Sequence, residues 1–284
     1  MSVNNKVTVG TFRKRKAAGE KISMLTVYDA PGAAICHSAG VDSLLVGDSL
    51  AMTVLGYKNT LPLTMEEALH HAKAVRRGAP DAFVIFDMPF MSYQISVEQA
   101  MQNAGRIMKE TGASAVKLEG GKEVCPQIRA ITAAGIPVVA HIGMTPQSVN
   151  AFGGFTVQGK GEANARRVLE DALAAQEAGA FAVTLECVPP KLSALITKKL
   201  DIITIGIGAS PECDAQVLVW QDMLGISDFK PKFAKHFAEV GETMREAFRA
   251  YDGEVKSGVF PASEHTFVKS DCTEEFLASL DVEY

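Results

Sequence analysis

Along this chain, short runs of apolar and β-branched residues alternate with longer segments whose apolar positions recur every three or four residues. The short runs predict strands at 22–27, 43–46, 83–86, 115–118, 137–140, 182–185 and 202–205, with 215–219 as an eighth. The longer segments predict helices at 31–39, from Thr64 to about 77, and at 97–110, 123–134, 162–178, 192–199 and 233–251. Their ends carry the expected punctuation. Pro31 sits in a first turn, Thr64 and Glu67 have the spacing of a capping box, and Gly112, Gly135 and Gly179 follow helix ends. The strands are nearly continuous in apolar character, as parallel strands covered on both faces are. Eight β/α units in succession predict a (β/α)8 barrel, read as one domain over 1–284 with a short N-terminal extension and a C-terminal helical segment. An open, doubly wound sheet is the runner-up. No Gly-x-Gly-x-x-Gly follows the first strand, which argues against a dinucleotide site. No linker, low-complexity segment or strong internal repeat divides the chain.

Composition narrows the class. At 284 residues, 47% of them hydrophobic, the chain can bury a large core. A net charge of −5 excludes a strongly basic nucleic-acid surface. The short run Arg13-Lys14-Arg15-Lys16 reads as the solvated face of an N-terminal helix. The opening MSVNNKVTVG lacks the apolar stretch of a secretory leader, and no run of about 18 uncharged apolar residues suggests a membrane span. Five cysteines, odd in number and irregular in spacing, form no Cys-x-x-Cys; reduced thiols in a cytoplasm are the expectation.

The candidate chemistry lies where the apolar runs stop. Asp48 and Ser49 follow 43–46, Asp87 follows Phe86, Lys117 and Glu119 lie two apart inside VKLEGG, His141 follows Ala140, and Glu186 follows Leu185. In a barrel of this kind the active site lies at the carboxyl ends of the strands. One acidic residue after a strand is most often a turn or helix-cap residue. Ionisable residues at several strand ends point instead to a site. Lys117 and Glu119, two apart on one strand, share a face. Gathered in a barrel mouth, such charges need partners, which a divalent cation and an anionic substrate supply. Asp48, Asp87 and Glu119 are oxygen donors of the kind Mg²⁺ accepts. Glu186 adds a further carboxylate at a strand end, and His141 taken alone is either a site residue or a satisfied core or loop histidine. Cys187 has no identifiable histidine partner and reads as a bystander, and His70-His71 reads as structural.

Longer stretches carry a resemblance: TVYDAPGA, AGVDSLLVGDSLAM, TLPLT, DMPFMSYQ, ASAVKLEGG, GIPVVAHIGMTPQS, GGFTVQG, LECVPP, IGIGAS and VFPASEHTF. From about 22 to 267 the chain resembles the ketopantoate hydroxymethyltransferase family. The resemblance implies a (β/α)8 barrel. It also implies transfer of a hydroxymethyl group from 5,10-methylenetetrahydrofolate to 3-methyl-2-oxobutanoate, the first committed step toward pantothenate. By matching motifs, Asp48, Asp87 and Glu119 resemble the family's Mg²⁺ carboxylates, Ser49 and Lys117 its contacts to the substrate carboxylate, and Glu186 its proton acceptor. Asp48 and Asp87 would also meet the substrate through the ion. The expected chemistry is a Mg²⁺-stabilised enolate attacking the folate one-carbon unit. The resemblance further implies a homodecamer. The chain departs from the family pattern at Ala51, His70-His71 and Ala140, none of which replaces an acid, base or ligand. Two rival readings remain. A lyase or mutase of the isocitrate-lyase and phosphoenolpyruvate-mutase type would carry a Lys-Lys-Cys-Gly-His-type loop, absent here. A non-catalytic binding barrel would have lost a carboxylate or the base, and all are present.

Overall fold

Each apolar run becomes a strand, and the eight strands pair in chain order into a closed barrel. They are β1 Ile22–Thr26, β2 Ser43–Val46, β3 Phe83–Asp87, β4 Ala115–Glu119, β5 Val138–Gly143, β6 Ala182–Glu186, β7 Ile203–Ile207 and β8 Ala215–Val219. The computed structural model describes residues 6–227, 230–267 and 272–283. Parallel pairing of β1 with β8, from Ile22 opposite Ala215 to Thr26 opposite Val219, closes the ring and removes the open-sheet alternative. No helix among the described residues is long and apolar enough to cross a membrane.

Alternation along the strands builds two apolar layers. Outward residues such as Leu44, Val84, Phe86, Val116, Leu118, Val138 and Leu185 pack beneath the surrounding helices. Inward residues such as Met24, Leu45, Ile85, Val139, Ile205 and Val217 fill the lumen. The helices start where capping is available. Thr64 accepts from the Glu67 backbone N–H while the Glu67 carboxylate accepts from the Thr64 N–H, at 3.2 and 2.8 Å, opening Met65–Gly78. Asp29 and Ser96 cap Ala30–Ser38 and Val97–Thr111.

The N-terminal helix Val9–Ala18 closes the floor of the barrel. Its Phe12 is buried edge-on against Phe83, with ring centres 5.0 Å apart, and also meets Phe181. That docking corrects the reading of the basic run. Arg13 and Lys14 face solvent, but Arg15 pairs with Asp42 at 2.6 Å and Lys16 with Asp214 at 2.7 Å, so half of the run ties the helix to the barrel.

Three further differences have local causes. Asp87, Glu119, His141 and Glu186 belong to strands instead of following them. Their backbones continue the ladder, Asp87 opposite Lys117 and Glu119 opposite His141, because a polar side chain aimed into the lumen does not interrupt pairing. The closing helix begins at Val240, not Phe233, and runs to Ser257. Phe233 instead lines the cavity at the barrel mouth. That helix is also unlike its predecessors. Met244, Phe248, Tyr251 and Val255 form an apolar stripe at helical spacing, yet Phe248 is 64% and Tyr251 60% exposed. No helix stands between β7 and β8, and outward positions Ser23 and Gln216 on β1 and β8 are exposed where other strands are covered.

Candidate active site

From floor to mouth, the inward positions change from apolar to charged. β3 presents Phe83, Ile85 and then Asp87; β4 presents Ala115, Lys117 and Glu119; β5 presents Val139 and His141; β6 presents Ala182, Thr184 and Glu186. Period-two geometry therefore delivers the ionisable groups to one cavity at the carboxyl ends of the strands. The cavity measures about 290 Å³, and its lining includes Asp48, Ser49, Asp87, Lys117, His141 and Glu186. Glu119 lies just behind that lining, buried against His141.

The charges form one network. The Lys117 ammonium donates to Asp87 Oδ2 at 2.7 Å, and the Asp48 backbone N–H donates to the same oxygen at 3.3 Å. Both Lys117 and Asp87 are buried. Burial disfavours the Lys117 charge, but Asp87, Glu119 and Asp48 outweigh it and hold the ammonium above the usual lysine range. Asp48 is pushed well above the carboxylate range, first by burial and then by Asp87 and Glu119. His141 sits between two carboxylates, with Nδ1 3.3 Å from Glu119 Oε1 and Nε2 3.1 Å from Glu186 Oε2. Neither contact has hydrogen-bond geometry, so both are charge contacts. Burial and Lys117 oppose charging of His141, and the two glutamates prevail, pushing its pKa up to about 9. Ser49 shares a 2.8 Å hydrogen bond with the Tyr28 hydroxyl, which burial pushes up to about 12. The Tyr28 carbonyl meets His71 Nδ1 at 2.7 Å, which gives that histidine a structural role in the helix Met65–Gly78.

Two residues that sequence reasoning missed brace the site. Gln147, four residues past β5, is buried. Its side-chain amide donates to Asp48 Oδ2 at 3.0 Å and to the Met88 carbonyl at 2.9 Å, while its backbone N–H donates to Glu119 Oε2 at 2.9 Å. The Tyr93 hydroxyl donates to Gln147 Oε1 at 2.7 Å and accepts from the Glu119 backbone N–H at 3.0 Å. The available signal was the polar quartet TPQS directly after a buried strand. Glu186 is aimed by backbone geometry. Cys187, which follows it, adopts a left-handed φ of 49°, rare outside glycine. The Met144 N–H donates to the Glu186 carbonyl at 2.8 Å. A Cβ at Gly143 would collide with that same carbonyl, so only glycine fits there. The Cys187 thiol is pushed up to about 11 by burial and by Glu186, which leaves it unsuited to nucleophilic work.

The donor set fits a hard cation. Asp87 Oδ1 and Glu119 Oε1 are buried with no hydrogen-bond partner. The four carboxylates Asp48, Asp87, Glu119 and Glu186 against Lys117 and His141 leave an excess of negative charge that burial makes costly. Among the described residues, no three His, Cys, Asp or Glu side chains close on one point as a complete cage. Two carboxylates that line the cavity, Asp48 and Asp87, are a donor set Mg²⁺ accepts, since it keeps waters and substrate oxygens and takes one or two carboxylates.

Comparison with known proteins places the chain. Residues 6–263 match the family model described as ketopantoate hydroxymethyltransferase. The 3-methyl-2-oxobutanoate hydroxymethyltransferase of Clostridium novyi (strain NT) is 58% identical over 92% of this chain and 96% of that protein. The enzyme of the same name from Enterococcus faecalis (strain ATCC 700802 / V583) is 57% identical over 94% and 97%. Among solved structures, phosphoenolpyruvate phosphomutase from Streptomyces platensis subsp. rosaceus superposes with a TM-score of 0.62 at 14% identity, over 98% of this chain and 97% of that one. A 2,3-dimethylmalate lyase superposes with a TM-score of 0.59 at 17% identity, over 98% of each. At such low identity these structures speak for the shared barrel alone, whereas the sequence matches span nearly the whole length at more than half identity. This chain belongs to the ketopantoate hydroxymethyltransferase family.

Proposed function

We propose that this enzyme transfers a hydroxymethyl group from 5,10-methylenetetrahydrofolate to 3-methyl-2-oxobutanoate, giving 2-dehydropantoate and tetrahydrofolate, with Mg²⁺ at the charged end of the cavity. The observation that carries the reading is the one cavity that holds a buried lysine, oxygen donors and a mouth-facing glutamate. Asp48 and Asp87 would hold the ion, with Glu119 supporting from behind. When bound, Mg²⁺ supplies Lewis-acid polarisation of the 2-oxo group and stabilises charge that develops on it.

The protein's own groups do the rest. Lys117 offsets the negative charge of the substrate carboxylate, and the Ser49 hydroxyl hydrogen-bonds it. Glu186 removes the proton from C3, which lies next to the polarised ketone. Water adds to the folate methylene carbon and both of its carbon–nitrogen bonds break, which releases tetrahydrofolate and leaves the one-carbon unit as formaldehyde. The C3 carbon nucleophile bonds to that carbon, and its oxygen, which came from water, takes a proton to become the hydroxyl group. His141, wedged between Glu119 and Glu186, would help to hold the Glu186 carboxylate in place.

Enolisation requires the 2-oxo acid and the ion but no folate. In D₂O the purified protein should therefore exchange the C3 hydrogen of 3-methyl-2-oxobutanoate, stop on addition of EDTA, and resume with excess Mg²⁺. Asp87→Asn should weaken Mg²⁺ binding at least about tenfold by calorimetry in the presence of the 2-oxo acid. Exchange indifferent to EDTA, or unchanged affinity in the variant, would refute the metal assignment.

We also propose a homo-oligomer, a decamer by family likeness. The uncovered stripe of Met244, Phe248, Tyr251 and Val255 supports it, as does the bare outer face of β8 and β1. Light scattering of the purified protein tests this; a monomer would exclude it.

A further inference from the structure

Beyond Glu186 the cavity continues toward β7 and β8, and its character changes. The walls there include Ile207, Val219, Pro231 and Phe233, while Phe155, from the connection between β5 and β6, also lines the cavity. Phe233 is seated on the end of β7, where a Cβ on Gly208 would come within 3.0 Å of its ring. Into this apolar end projects one ionisable side chain, Asp222 from the short helix Trp220–Met223.

Asp222 is 5% exposed. Its Oδ1 accepts from the Ser227 hydroxyl at 2.7 Å. Burial holds its carboxyl above the usual range, against that hydrogen bond and the nearby His236. A carboxylate offers about four acceptor positions, and the Ser227 hydroxyl takes one of them. A buried carboxylate facing an apolar pocket is costly unless a ligand brings donors to it. The 2-oxo acid brings none, since it carries only oxygen acceptors and a negative charge of its own. In an eight-stranded ring, β8 stands opposite β4, which carries Lys117, and β6 with Glu186 lies midway between them. The two ends thus flank the base.

We propose that Asp222 anchors the pteridine ring of the folate co-substrate, accepting hydrogen bonds from its 2-amino group and N3–H, with Phe155 and Phe233 against the ring. This rests on the function proposed above. A pteridine is flat and apolar on its faces, and its aminopyrimidine edge presents two adjacent N–H donors to one carboxylate. Seated there, the ring reaches from the β8 side toward Glu186 and the nucleophilic carbon.

The test is calorimetric binding of tetrahydrofolate, and of its analogue lacking the 2-amino group, to the full chain with Mg²⁺. Wild type should bind tetrahydrofolate at least about tenfold more tightly than the analogue, the usual worth of a hydrogen bond to a charged group. Asp222→Asn keeps the shape and an acceptor for Ser227. It should weaken tetrahydrofolate binding by a similar factor and erase the preference. Equal binding of both ligands by wild type, or a preference that survives in Asp222→Asn, would overturn the assignment and leave Asp222 as a brace for the chain around Ser227. The wild-type comparison decides even if the variant does not fold. If wild type binds neither ligand, the folate reading itself fails, and this inference with it.

Discussion

Glu186→Gln should slow folate-independent exchange of the C3 hydrogen by a factor of about 10²–10⁴, the usual range for loss of a general base. The glutamate is the last residue of β6 and lines the cavity, with its side chain 14% exposed. Its backbone is fixed on both sides, by the left-handed Cys187 and by the Met144 N–H on its carbonyl, so the carboxylate is delivered to a set place in the mouth. Glutamine keeps that shape and removes only the basicity. Mg²⁺ affinity should hold, because Glu186 is not assigned to the ion. Proton NMR of the 2-oxo acid in D₂O, wild type beside variant, reads the effect. Exchange at the wild-type rate would take Glu186 out of the mechanism and turn attention to His141.

Lys117→Ala should raise KM for 3-methyl-2-oxobutanoate by about 100-fold or more, the size expected for a lost buried, charge-assisted contact. The substitution also strands Asp87, whose Oδ2 the ammonium holds at 2.7 Å. Breaking a buried pair on one side costs about 3–5 kcal/mol, so the melting temperature should fall as well. The direction of the metal effect separates the two site roles. Removing a positive charge beside the carboxylates leaves Mg²⁺ affinity equal or stronger, whereas Asp87→Asn weakens it. A KM for the 2-oxo acid that does not move in Lys117→Ala would leave the lysine as a structural partner of Asp87 alone.

The barrel was legible because the strands are short apolar runs, most of them separated by helical segments, and because that order leaves little choice of topology. The acidic, basic and histidine residues at the mouth were legible for a related reason: an ionisable residue at the end of a buried run stands out against its neighbours. What hid from sequence was held by contacts distant along the chain. Gln147 acts through Asp48 and Met88, 99 and 59 positions away, and nothing in TPQS names those partners. Arg15 and Lys16 look solvated beside Arg13 and Lys14 until Asp42 and Asp214 are brought under them by the closure of the barrel. The start of the helix Val240–Ser257 was misplaced because the apolar residues from Phe233 onward continue a helical period, although Phe233 belongs to the cavity wall. Asp222 stands three residues past Val219, inside the short helix Trp220–Met223 instead of at the strand end, so it drew no notice.

The central claim is carbon transfer itself, and one measurement addresses it. The purified protein is incubated with Mg²⁺, 3-methyl-2-oxobutanoate and 5,10-methylenetetrahydrofolate labelled with ¹³C at the methylene carbon, and the products are followed by carbon NMR. The account predicts that the label appears as the hydroxymethyl carbon of 2-dehydropantoate, in step with tetrahydrofolate release, and that EDTA prevents it. Label that stays on folate while the 2-oxo acid is consumed, or cleavage of the 2-oxo acid without any transfer, would contradict it.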